Sequence, residues 1–157
     1  MKQNLKLKID YDLNFLLVGL RSEIKDYQLA YFLNKSPFFQ FKRMITDISY
    51  MVNKKKIFFS AFKDLDKDKK RACFLIKNKS LYQDPVKGYK TLFSESVGKT
   101  AFLIPELKEF DYLIKMVGIW KKKELLTLTE FLHQMKSVEL QTKINLNKIK
   151  SINNLVF

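Results

Sequence analysis

The chain has one cysteine, Cys73, and one histidine, His133, in 157 residues. A single thiol excludes an internal disulfide framework and suits a reducing compartment, so the cytoplasm is the expected location. Four glycines and three prolines leave no room for long flexible linkers. The glycines are too scattered for a G-x-G-x-x-G or P-loop cradle for phosphate. Also absent are Gly-x-Ser-x-Gly, His-Glu-x-x-His and Cys-x-x-Cys, which removes the familiar serine-hydrolase, zinc-protease and redox signatures. No apolar run approaches the roughly 20 residues of a membrane-spanning helix. The longest run near the start, residues 15–20, leads into charged residues rather than a small-residue cleavage site, so no secretory leader is expected. There is no internal repeat, low-complexity tract or composition break, and the expectation is a single domain over residues 1–157.

Apolar and basic residues fill the chain instead. Hydrophobic residues make up 46% of it and 14 residues are Phe, more than a disordered chain carries, so a folded core is expected. The formal net charge is +14, which points to a polyanionic partner. Only Arg21, Arg43 and Arg71 are arginines; the other 27 basic residues are lysines. Arginine's planar donor fork favours specific phosphate and base recognition. A lysine surface therefore suggests loose phosphate tracking, or a composition bias with no binding role.

Along the chain, Leu5, Leu7 and Ile9 alternate with lysines, the period-2 pattern of a half-buried strand, and residues 15–20 form a continuous apolar strand. Ser22 is placed to cap a helix running through Asp26 to about Leu33, with Ile24, Tyr27 and Tyr31 on one face. Met44, Ile48, Tyr50 and Val52 suggest a strand with one slip, followed by a turn at Asn53 and three lysines. Residues 57–62 and 72–76 read as a hairpin with a long polar connection over 64–71. A surface loop is expected over 83–99, then strands over 99–104 and 111–117, the latter with Tyr112, Ile114 and Met116 opposite Asp111 and Lys115. Leu125, Leu128, Leu132 and Met135 predict a helix over 124–135, and Val138, Leu140 and Ile144 a last strand before a docked apolar tail. Together these predict an α+β fold, a mostly antiparallel sheet with two main helices, whose strand–helix–strand over 111–144 is similar to half of a ferredoxin-like unit.

Ile104, Pro105, Glu106, Asp111 and Tyr112 spell I-P-E-x-x-x-x-D-Y if every intervening residue (Leu107, Lys108, Glu109, Phe110) is counted. The string resembles the signature after which the bacterial IPExxxDY family is named. The ending, Lys150, Ser151 and then Asn154, Leu155, Val156 and Phe157, is similar to that family's tail. The family has no established activity, so the resemblance implies no reaction. On a structural account, Pro105 opens a short turn, Glu106 lies near its positive end, and Asp111 and Tyr112 point to opposite faces of the next strand. On a functional account, Glu106, Glu109 and Asp111 form a carboxylate cluster able to hold Mg²⁺.

Other candidates are weaker. Asp64, Asp66 and Asp68 imitate the opening of a calcium loop, but Lys69 stands at the turn glycine and Leu75 at the bidentate glutamate. His133 has no catalytic companion in the sequence, and Cys73 reads as a small strand hydrophobe. Neither a catalytic residue nor a metal or cofactor site is expected. Basic clusters at predicted loops remain: Lys54, Lys55 and Lys56; Lys69, Lys70 and Arg71; Lys121, Lys122 and Lys123. Phe58, Phe62 and Tyr50 offer stacking faces there if they point outward. The expected function is a non-catalytic basic binding protein that contacts RNA or a ribonucleoprotein. The alternative is a protein–protein adaptor that uses the apolar C-terminal tail.

Overall fold

The structure, a computed structural model, describes residues 14–84 and 97–157. The strand expected at Leu5, Leu7 and Ile9, and most of the expected 83–99 loop, lie outside the described residues.

Six strands form one antiparallel sheet: β1 (Phe15–Arg21), β2 (Lys42–Arg43), β5 (Ala61–Asp66), β6 (Arg71–Lys77), β9 (Tyr112–Val117) and β10 (Leu140–Lys143). Their order is β10-β1-β9-β6-β5-β2. Two further hairpins, β3 (Ile48–Val52) with β4 (Lys55–Phe59) and β7 (Lys79–Asp84) with β8 (Val97–Phe102), pair separately. The helices are α1 (Asp26–Asn34) and α2 (Lys122–Gln134). This is the α+β, mostly antiparallel arrangement that the pattern predicts. β1 is antiparallel to both β9 and β10, so those two run parallel on either side of it and are joined through α2. That is the split β-α-β expected over 111–144.

The sheet is covered on both faces. On one face α1 and α2 bring Leu29, Ala30, Leu33, Leu128 and Leu132 onto Leu20, Phe62, Leu75, Ile114 and Met116. On the other, the two hairpins and the C-terminal tail bring Ile48, Ile57, Phe59, Leu103 and Leu155 onto Phe15, Leu17, Phe74, Ile76 and Leu113. Double coverage explains why β9 is buried along its first five residues instead of alternating wet and dry. Lys115, expected to face water, is among them.

Other expectations are corrected in detail. Ser22 does not cap α1; Lys25 precedes the helix, and its N–H donates to Gln28 Oε1 at 3.2 Å. The buried face is Leu29, Ala30 and Leu33, while Tyr27 and Tyr31 are 58% and 62% exposed. The strand expected over 57–62 divides at Ser60. Residues up to Phe59 pair with β3, and Ala61 onward pairs with β6. Half of the 64–71 connection is strand, and the turn is confined to residues 67–70. β5 runs to Asp66 and β6 starts at Arg71, with the turn held by Lys69 N–H donating to Asp66 Oδ1 at 3.1 Å. Asn53 and Lys54, at φ 49° and 64°, form a two-residue hairpin turn that places Lys55 and Lys56 in β4. The two ends of the expected 83–99 loop lie in β7 and β8.

Candidate functional site

The string from Ile104 to Tyr112 links β8 to β9 through one 3-10 turn, Pro105–Leu107, with proline at its first position. Its anchor is Asn78, fully buried between β6 and β7. The Asn78 side chain accepts from Ile104 N–H at 2.9 Å and donates to the carbonyls of Leu107 and Phe110 at 2.9 and 3.1 Å. Its backbone N–H donates to Asp111 O, and its carbonyl accepts from Leu103 N–H. One amide thus satisfies buried polar groups along the whole connection.

Glu106, Asp111 and Tyr112 are each used within the chain, whereas Glu109 is exposed and, among the described residues, only its backbone carbonyl accepts, from Arg21 Nε at 3.3 Å. Glu106 Oε1 accepts from the N–H groups of Lys150 and Ser151, both at 2.9 Å, and from Ser151 Oγ at 3.1 Å. Asp111 Oδ2 accepts from Ser22 N–H at 2.9 Å, and Oδ1 pairs with Lys79. Tyr112 donates its hydroxyl to Ile24 O, and burial, then Asp26 and Asp111, push its pKa upward. Phe110 packs where a side chain on Gly19 would stand. Glu106 and Asp111 thus face different partners, and among the described residues no group of three or more His, Cys, Asp or Glu is placed to hold a metal ion.

The tail is fastened by the same elements. Asn154 Nδ2 donates to Leu103 O at 2.8 Å, and Leu155 is fully buried. Lys115 is 7% exposed and donates to Leu155 O at 2.6 Å. Its ammonium lies 4.9, 5.5 and 4.4 Å from the ring centres of Phe15, Phe74 and Phe157. Desolvation lowers its pKa, and the rings and carbonyl supply negative potential to the buried charge. Two regions set apart in the sequence, the string and the tail, are therefore one contact.

A pH response follows. Burial raises the pKa of Glu106, but hydrogen bonds from its own backbone, Ser151 and Lys150 outweigh that and hold it below the usual 4.5. A depressed folded pKa gives a contribution that is present above the unfolded value and lost as pH falls through the lowered one. The Lys150 and Ser151 amide signals in NMR spectra are expected to titrate with a midpoint below 4.5. Glu106→Gln is expected to abolish that titration.

The basic clusters separate. Lys54, Lys55 and Lys56 belong to the β3–β4 hairpin over one face of the central sheet. Lys55 leans over Tyr82 and donates to Gln83 O, whereas Lys56 lies 5.6 Å from the ring centre of Phe58. Phe58 is 52% exposed, while Phe62 is core and Tyr50 packs inward. One of the three candidate stacking rings therefore points outward. Lys69, Lys70, Lys121, Lys122 and Lys123 are exposed. Arg71, between them, is withdrawn: its guanidinium stacks 3.9 Å from the Trp120 ring centre and pairs with Glu124 at 3.0 Å. That contact brings the Lys69–Lys70 turn toward the start of α2.

His133 is exposed and Cys73 is buried. Burial, with Asp64 adding and Arg71 subtracting, pushes the Cys73 thiol up to about 12, so it is not a thiolate at neutral pH. Asn78, Gly19 and Trp120 carry much of this geometry, yet each stands in the sequence without a periodic or spacing signal of its role, and the alternation around Lys115 points it the wrong way. Among the described residues no helix is long and apolar enough to cross a membrane. No protein-family model matches the chain, and neither a curated protein nor a solved structure matches it.

Proposed function

We propose that this is a non-catalytic binding protein that contacts RNA through the outer face of the β3–β4 hairpin. The observation that carries the reading is Phe58: a large ring half in solvent, with Lys56 beside it and Lys54 at the turn. In the register, Phe58 and Lys56 lie opposite Ser49 and Met51, and all four are exposed. A ring flanked by lysines suits a stacked base with its phosphates tracked nearby. Lys121, Lys122 and Lys123, on the other side of the sheet, offer a second place for phosphate rather than an extension of the hairpin surface. They stand at the positive end of α2, where cations are unfavourable by about 0.3–1 kcal/mol each. A phosphate partner would relieve that repulsion. Glu106 and Asp111 of the string are engaged inside the chain and take no part in this reading.

Phe58→Ala is expected to weaken binding of a fluorescent single-stranded RNA about tenfold, given about 1–3 kcal/mol for a base stacked on an aromatic ring. Its melting temperature should stay close to that of the parent, because Phe58 is not core. Fluorescence anisotropy and calorimetry check the pair of outcomes. Unchanged RNA affinity would remove Phe58 from the reading.

A protein–protein adaptor reading has a separate observation. Tyr27, Tyr31 and Phe32 on α1 are exposed, and Val156 and Phe157 of the tail are about half exposed. Tyrosines and phenylalanines are enriched at protein interfaces. A stoichiometric protein partner that stays bound after nuclease treatment, and is lost in Tyr27→Ser/Tyr31→Ser, would favour that reading.

A further inference from the structure

Strands β5 and β6 are paired so that Asp64 stands opposite Cys73, and Asp66 opposite Arg71. Paired residues of an antiparallel ladder share a face, and Cys73 places this one on the helix side of the sheet. The four side chains line a cleft of about 490 Å³ whose walls include Phe38, Gln40 and Trp120. The cleft lies on the opposite side of the sheet from the β3–β4 hairpin and its Phe58.

Two kinds of unmet demand meet there. Arg71 is only 9% exposed; Glu124 takes its Nη1, but its Nε has no hydrogen-bond partner. The indole Nε1 of Trp120, stacked against the same guanidinium, also has none. Buried donors without acceptors are costly and call for an oxygen. Asp64 accepts from Gln40 N–H at 3.0 Å and Asp66 from Lys69 N–H, each through one oxygen. Neither carboxylate belongs to a described ion pair, which are Arg43–Asp47, Arg71–Glu124 and Lys79–Asp111.

The geometry points to a binding site for a small zwitterion of the free α-amino-acid class, its carboxylate on Arg71 Nε and Trp120 Nε1 and its ammonium on Asp64 and Asp66. A phosphate dianion would meet two carboxylates, and a bare metal cation would meet two N–H donors. A zwitterion satisfies both halves. Both donor atoms are shielded from solvent while Arg71 and Trp120 line the cleft, so the bound carboxylate reaches them through a shift of the Trp120 side chain that keeps its N–H toward the ligand.

Trp120 is the one tryptophan of the chain, so its indole N–H resonance is an unambiguous reporter. L-leucine, L-glutamine and L-lysine would be titrated in turn against the ¹⁵N-labelled full chain, with acetate and methylammonium as the separate halves. The expected result is a saturable shift of the indole resonance with at least one amino acid, and a much smaller shift with either half alone. Asp64→Asn/Asp66→Asn keeps both backbone acceptors and should leave the rest of the spectrum native, while weakening the amino acid about tenfold or more through loss of charge-assisted bonds. No indole shift with any of the three up to about 10 mM, well above an affinity of about 1 mM, would overturn the proposal. So would an acetate shift equal to that of the amino acids, or a double variant that binds as tightly as the parent.

Discussion

Asn78→Ala is expected to be among the most damaging single substitutions in the chain. It leaves Ile104 N–H without its acceptor and the carbonyls of Leu107 and Phe110 without their donor, all beside a fully buried position. Each orphaned group costs about 1–3 kcal/mol. Allowing for non-additivity, the total is about 3–5 kcal/mol, a large share of the roughly 5–15 kcal/mol that holds a typical domain. A fall in Tm of roughly 10 °C follows for a chain of this length. Asn78→Asp should fare no better, because a carboxylate keeps the acceptor for Ile104 but supplies no N–H to the two carbonyls. Calorimetry on the two variants checks this. A loss under about 1 kcal/mol, ordinary for a surface substitution, would mean that the string is held by something other than Asn78.

Gly19→Ala is expected to be the next most costly, for the opposite reason. Gly19 pairs with both β9 and β10, and a Cβ there would stand 2.6 Å from Phe110 Cγ and 2.8 Å from two further ring atoms. Those contacts are too close to survive, and the ring is buried in the core with little space to retreat. Overpacking of this kind costs about 1–3 kcal/mol. The test is a double-mutant cycle. Phe110→Leu alone should destabilise by leaving space, and in the Gly19→Ala background its penalty should shrink or change sign. Additive penalties in denaturant melts would show that the two positions do not meet.

Both substitutions follow from reading the Ile104–Tyr112 string as a fold device. Asn78 threads it, Gly19 makes room for its phenylalanine, Glu106 fastens the tail, and Asp111 holds the chain after β1. The structural account of Pro105 and the strand after it is legible from single residues, since proline sets φ and opens a turn wherever it stands. The partners of Glu106 and Asp111 are not legible, because they lie 44 and 89 residues away along the chain.

The same contrast runs through the fold. β1 is visible as a short continuous apolar run, and α2 because its apolar residues repeat at the helical period. α1 is visible as a helix, but its inner face is ambiguous: Tyr27 and Tyr31 lie one turn apart, as do Leu29 and Leu33, and only packing decides between the stripes. β5 is hidden by composition. Beyond its short pairing with β2 at Lys63 and Phe62, its end carries Asp64 and Asp66, which resemble a loop unless a cleft wall stands over them. Lys115 misleads in the other direction. A lysine in an alternating pattern predicts a wet face, whereas here its head is enclosed by three rings and a tail carbonyl that come from elsewhere in the chain.

The most direct test of the account is the salt dependence of RNA binding, measured by anisotropy for the parent and for Lys54→Gln/Lys56→Gln. If the hairpin tracks phosphates, parent affinity falls steeply and linearly in log–log form as salt rises. Each lysine lost should flatten the slope by about 0.7 for a single strand, and so the pair by about 1.4. A parent affinity indifferent to salt, or a double variant with the parent's slope and affinity, would contradict it.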